Sequence, residues 1–128
     1  MHRSRLSTLL IDVPAGDVPA AAAFWSAALG TPARDVPDEP QFTSLGEVIP
    51  GLTAAIQAIG DRPRYHLDIE TDDVAAESAR LIGLGAEIVT DHGGHKILRA
   101  PGGHLICVVP VQSAEDHFAA DSRAWPAR

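Results

Sequence analysis

The sequence predicts an α+β fold built from two paired βαβββ modules. Three observations carry that expectation. The order strand, helix, then three further strands can be read twice along the chain. Sliding the sequence by 56 residues lays Leu10 on His66, Asp12 on Asp68, Asp17 on Asp73 and Val18 on Val74, with Ile11 and Val13 on Leu67 and Ile69. At an offset of 50, Ala55-Ile56-Gln57-Ala58-Ile59 falls on Leu105-Ile106-Cys107-Val108-Val109. A repeated supersecondary unit accounts for all three, and the two offsets differ because the loops differ in length.

Taken in order, Leu6 to Val13 alternates as a strand, with Leu9, Ile11 and Val13 on one face and Thr8, Leu10 and Asp12 on the other. Pro14-Ala15-Gly16 is a turn, Asp17 is a helix cap, and Pro19 fits the first turn of a helix through Phe24, Trp25, Ala28 and Leu29 to Gly30. The proline- and acid-rich stretch TPARDVPDEP is an exposed loop with room for a short edge strand. Gln41 to Leu45 and Leu52 to Ile59 are strands joined at Pro50-Gly51. In the second half, Tyr65 to Ile69 is a strand whose apolar face, Leu67 and Ile69, is expected to be dry, and whose other face carries His66, Asp68 and Glu70. Asp73 to Leu84 is a helix on which Val74, Ser78 and Leu81, and Ala75, Ala79 and Ile82, recur at helical spacing before Gly83 and Gly85 end it. Strands Glu87 to Thr90, His95 to Arg99 and His104 to Val109 follow, with turns at Gly93-Gly94 and Pro101-Gly102-Gly103. The tail from Gln112 carries Phe118 and Trp125 among polar residues and reads as a short helix or an extension.

At 128 residues the chain is expected to form one domain over 1–128, with module one over about 6–60, module two over about 64–110 and a tail over 111–128. Its apolar fraction is 45%, and no apolar run is long enough to span a bilayer. The opening MHRSRLSTLLIDV places Asp12 inside its apolar run and lacks a cleavage signature, so it reads as a strand, and the compartment it predicts is the cytoplasm. One cysteine, Cys107, excludes an intramolecular disulfide. A formal charge of −7 with no basic stripe argues against nucleic acid or an anionic membrane as partner and for a small-molecule ligand. Nucleophile elbow, phosphate-binding glycine loop and CxxC are all missing from the sequence.

The segments LIDVPAGDVPAAAAFWSAALG, RYHLDIETDDVAAESARLIGLGAEIV and APGGHLICVV resemble the vicinal oxygen chelate superfamily. This is the group of glyoxalases, bleomycin-resistance proteins and extradiol dioxygenases, and the resemblance is strongest to its glyoxalase-like branch. It covers nearly everything from Leu6 to Val109. It implies the paired-module fold with its strands in a curved, cup-like mixed sheet, a shared cup in a homodimer, and a small organic metabolite as ligand. Family members that hold a metal use one residue from the first and one from the last strand of each module. Those positions are Leu10, Gln57, His66 and Cys107 here, where the family pattern is His or Gln, Glu, His and Glu. Leu10 offers no donor and Gln57 only a neutral oxygen, while His66 and Cys107 are good ligand types. The cofactor expectation is therefore none, or a divalent metal on His66, Gln57 and Cys107, with Asp68 or Asp12 as an added oxygen donor.

Each candidate has more than one reading. His66 is a metal ligand, an acid/base or hydrogen-bonding group toward a ligand, or a histidine satisfied by Asp68 or Asp12. Asp12 and Asp68 are a symmetric pair facing the ligand or are structural acceptors. Cys107 is a small buried hydrophobe, a ligand or a nucleophile. Gln57 is an amide in an apolar strand that must find partners. His92 and His95 in DHGGHK mark a solvated hairpin or a metal pair, and His104 is exposed.

The functional expectation is a glyoxalase-like protein with His66 and Asp68 as catalytic residues and Asp12, Gln57, Cys107 and Leu10 around the ligand. It would be a lyase or isomerase using His66 as acid/base without a tightly bound metal. The alternatives are a metal-dependent enzyme with an altered ligand set and a non-catalytic drug-binding resistance protein. The last is short of stacking surface, with six aromatic residues in the chain.

Overall fold

The structure, a computed structural model, describes residues 1–127. The chain separates into two compact units, Thr8–His66 and a second made of Met1–Ser7 with the chain from Leu67 onward. Two strands, β1 (His2–Pro14) and β5 (Arg64–Thr71), run through the boundary between them.

In the first unit, β1 leads through a 3-10 turn (Ala15–Asp17) into α1 (Val18–Leu29), then β2 (Arg34–Asp35), β3 (Phe42–Ile49) and β4 (Leu52–Ile59). The strands lie in the order β2-β3-β4-β1. β4 runs antiparallel to β3 and parallel to β1, with Asp12 beside Gln57. Ile11 and Val13 of β1 join Leu45, Ala54 and Ile56 in a buried cluster covered by Val18, Ala21, Ala22 and Trp25 of α1. Fully burying one such aliphatic side chain contributes about 1.5–3 kcal/mol, so these few contacts hold α1 down. Its sequence contains no charge and one polar residue, Ser26. Its outer side leaves Phe24 62% exposed, edge-on against Trp25 with ring centroids 5.2 Å apart. Gly30 closes the helix at φ 70°, a left-handed conformation that favours glycine, and its N–H donates to Ser26 O at 2.9 Å. Asp17 occupies the capping position but makes no side-chain cap bond, because the preceding 3-10 turn already gives it helical backbone angles.

In the second unit β5 leads into α2 (Val74–Gly83), β6 (Glu87–Asp91), β7 (Lys96–Arg99) and β8 (Leu105–Pro110), then α3 (Glu115–Asp121) and β9 (Arg123–Trp125). The order is β5-β8-β7-β6, with β8 parallel to β5 and antiparallel to β7. Here Asp68 stands beside Cys107, the same pairing by repeat position as Asp12 beside Gln57. Ala86, Leu98 and Val108 form the core under Val74 and Leu81. Asp73 caps α2 by accepting from Ala76 N–H at 2.9 Å.

Further sequence expectations change, among them the end of β3, which runs on from Leu45 to Ile49. β1 begins at His2 instead of Leu6, because residues 2–4 pair with β9. The tail is thus a helix and a strand anchored on the chain's own start. On α2 the inward residues are Val74, Glu77, Ser78 and Leu81, whereas Ala75, Ala79 and Ile82 face outward; a buried ion network, described below, takes the place of an apolar contact. His95 and His104 lie just outside their strands. The largest reversal is on β5, where Leu67 on the apolar face is 38% exposed and Glu70 on the polar face is fully buried.

Candidate functional site

The β1–β4 pair puts Asp12 and Gln57 side by side on the face opposite Ile11 and Val13, with Phe42 of β3 on the far side of Gln57. Leu10, two residues before Asp12 on that face, lies beside Ala55 and is 2% exposed. Asp12 is equally buried at 2%. Its Oδ2 accepts from His66 Nδ1 at 2.6 Å, a short, charge-assisted contact. The Nε of Arg64 lies 3.8 Å from the same oxygen, within ion-pair range but too long for a hydrogen bond. The other oxygen, Oδ1, has no hydrogen-bond partner among the described residues.

This arrangement has a defined chemical capability. A carboxylate on Nδ1–H fixes the imidazole's orientation and selects the tautomer with its lone pair on Nε2, the form that accepts a proton; the same carboxylate stabilises the imidazolium that results. Sequence reading named Asp68 or Asp12 as this partner, and the bond to Nδ1 is made by Asp12.

In the second unit, Asp68 and Cys107 face each other across the parallel β5–β8 pair, with a carboxylate oxygen and Sγ within 4.8 Å of one another. Cys107 is half-buried. The two neighbouring acids serve the fold. Glu70 Oε1 accepts from Gln112 N–H (2.8 Å) and Ser113 N–H (3.0 Å), its Oε2 accepts from Ser113 Oγ–H (2.5 Å), and Arg5 Nη1 lies 3.4 Å away. Glu77 binds Arg80 bidentately at 2.8 Å on both oxygens and takes His2 Nε2 at 2.8 Å. The Arg80 guanidinium then lies 3.7 Å from the Trp125 ring centroid, and Trp125 Nε1–H donates to Ser4 Oγ at 2.9 Å. Burial alone would push the Glu77 carboxyl up, but the hydrogen bonds from Arg80, His2 and Ser4 outweigh it and hold the group below its ordinary value of 4.5. A cleft of about 230 Å³ beside this network is lined by His2, Ala76, Ala79, Arg80, Pro126 and Ala127, none of them an expected site residue.

His92 and His95 sit in an exposed hairpin with parallel rings 4.5 Å apart, and His104 is exposed. Stacked rings direct their in-plane nitrogens alongside each other instead of toward a common point, so the hairpin does not form a metal pair.

Of the residues at the metal positions of the resembled family, Leu10 has no donor atom and Gln57 offers only a weak neutral oxygen, so the family's four-ligand set is incomplete.

Sequence reading considered Arg64 only as a strand-end partner for Asp12 or Asp68 and did not single it out as a site residue. Arg64 opens β5 two residues before His66 and is therefore on the same face. The period-two alternation that singled out His66, Asp68 and Glu70 reaches it when extended one step back. Glu77 carried a weaker signal, its three-residue spacing to Arg80.

Against known proteins, the family model described as a glyoxalase-like domain matches residues 8–109. No curated protein matches the chain. Solved structures of similar fold include an NAD-dependent benzaldehyde dehydrogenase from Legionella pneumophila, 14% identical with a TM-score of 0.63 over 82% of this chain and 98% of that one. Methylmalonyl-CoA epimerase from Mycobacterium tuberculosis is 20% identical, with a TM-score of 0.54 over 84% and 88%. A Streptomyces coelicolor methylmalonyl-CoA epimerase variant in complex with 2-nitronate-propionyl-CoA is 17% identical, with a TM-score of 0.57 over 85% and 98%. At these identities the likeness is one of fold.

Proposed function

Since the chain belongs to the glyoxalase-like domain family of the vicinal oxygen chelate superfamily, we propose that it binds a small organic metabolite and moves a proton on it with His66, as an isomerase or lyase. The observation that carries this reading is the 2.6 Å bond from His66 Nδ1 to the buried Asp12. An imidazole fixed in this way is a general base at Nε2 and, once protonated, the acid that returns the proton. Gln57, beside Asp12, supplies an amide to a ligand's oxygen. The presence of methylmalonyl-CoA epimerases among proteins of this fold supports the same chemistry, since epimerisation removes and returns a proton at one carbon.

The test is deuterium exchange into a panel of 2-substituted acyl thioesters and 2-substituted carbonyl acids in D2O, followed by NMR. The native chain exchanges the proton next to the carbonyl, His66→Gln lowers the rate about 10²–10⁴-fold, and the melting temperature of the variant stays near native. Exchange that survives in His66→Gln overturns the proposal.

Elemental analysis of protein purified without chelator tests the metal-free part of this reading: a near-stoichiometric transition metal that is lost in His66→Ala overturns it. Homodimerisation and a cytoplasmic location remain part of the proposal; among the described residues, no helix is long and apolar enough to cross a membrane.

A further inference from the structure

We propose that the ligand of the His66 site carries an oxyanionic group, a carboxylate or a phosphate, and that Arg64 is the residue that binds it. The inference rests on the reading of His66 as the working group and adds the substrate class.

The placement of Arg64 sets it apart from the other cations of the chain. The arginines of the second unit that meet buried acids do so closely: Arg80 is bidentate to Glu77 at 2.8 Å, and Arg5, 8% exposed, lies 3.4 Å from Glu70. Arg64 is 41% exposed, and its link to Asp12 is a 3.8 Å approach without a hydrogen bond. Its direct bond, from Nη1 to Asp61 at 3.2 Å, is to a carboxylate that is itself 68% exposed. An exposed pair of that kind contributes little and exchanges readily for another anion. Arg64 also follows Asp61-Arg62-Pro63, so a second arginine and a φ-restricted proline stand directly before it.

Two demands account for this geometry together. Asp12 is nine-tenths or more buried and has one oxygen without a partner among the described residues. A guanidinium bonded fully to Asp12 would satisfy that carboxylate but leave no donors for a ligand. Standing off at 3.8 Å, Arg64 supplies field to Asp12 and keeps most of its five N–H donors available to a planar oxyanion, which it matches bidentately. The strand rise separates positions 64 and 66 by about 7 Å. The ligand class is therefore a molecule whose anionic group lies about that far from the atom that His66 addresses. In a chain of net charge −7, a local cation is needed for such a ligand to bind.

The experiment uses the full chain and three probes at constant ionic strength: malonate, inorganic phosphate and the neutral malonamide, followed through backbone amide and imidazole NMR signals. Malonate or phosphate shifts the signals of residues 64–66 saturably, malonamide does not, and whichever anion binds more tightly identifies the natural group. Arg64→Ala weakens that binding at least about tenfold, and Arg64→Lys restores part of it, since the charge remains but the bidentate fork is lost. Asp61→Asn tightens binding about 2–5-fold by removing the internal competitor, an effect that a purely structural Arg64 would not produce. The inference is overturned if neither anion binds, if binding is unchanged in Arg64→Ala, or if Asp61→Asn leaves it unaltered. His66→Gln retains anion binding while losing proton exchange, so failure of this inference and failure of the proton-transfer reading are seen in different signals.

Discussion

Asp12 does two jobs from one buried position: Oδ2 orients His66, and the carboxylate as a whole sits in the field of Arg64. Replacing it with asparagine keeps the shape and removes the charge that steadies a protonated imidazole. Asp12→Asn is accordingly expected to fold and to lower deuterium exchange by about 10–100-fold, less than the loss of His66 itself. Glu77 is the residue on which stability turns. Glu77→Ala strips both Arg80 and His2 of their acceptor in a buried setting and is expected to destabilise the chain by about 3–5 kcal/mol in urea unfolding. Its pH dependence follows from the lowered carboxyl. A group with a folded value below its unfolded one contributes its full stability above about pH 4.5 and loses it as pH falls through the folded value. Native stability should therefore fall steeply with acid below that point, and the fall should be shallower in Glu77→Gln, measured as urea midpoints from pH 7 to pH 3.

At the level of elements, α2 depends on a start signal that the sequence displays openly. Asp73→Ala removes the bond to Ala76 N–H and is expected to destabilise by about 1 kcal/mol, readable as a fall in the thermal midpoint by circular dichroism. The repeat was legible for the same reason: alternation along Leu6–Val13 and Tyr65–Ile69 and the Asp17/Asp73 match are local, and local chemistry forms these elements. Which side of β5 is buried was not legible. Period two says that His66, Asp68 and Glu70 share a face, yet burial of that face depends on Arg5 and on residues 112 and 113, far away in sequence, supplying the partners that make a buried Glu70 tolerable. The same holds at the site. His66 and Asp12 were both visible as candidates, but their bond joins positions 54 apart and could only be named as one of two options. Arg64 was legible only as a structural partner of Asp12 or Asp68, because a strand-end arginine looks like a solvated charge until its neighbours are placed.

Taken whole, the chain ties its tail down at three points: Glu70 to Gln112 and Ser113, Phe118 at 2% exposure beneath the Arg3 guanidinium, and Trp125 between Arg80 and Ser4. Truncation after Pro110 removes the Gln112 and Ser113 donors of a fully buried carboxylate, leaving it only Arg5, and uncovers the surface under Phe118. The truncated chain is expected to lose at least about 3 kcal/mol, seen as rapid amide hydrogen exchange in β5 and α2. The division of β1 has a consequence for how the protein is made. The unit Thr8–His66 is contiguous and complete once its last residue has left the ribosome. The other must keep its first seven residues waiting, since Ser4 finds Trp125 only 121 positions later. Closing so long a loop is entropically unfavourable and slow, so the pairing of residues 2–4 with β9 is expected to be a late step of folding, after the contiguous unit Thr8–His66 has formed.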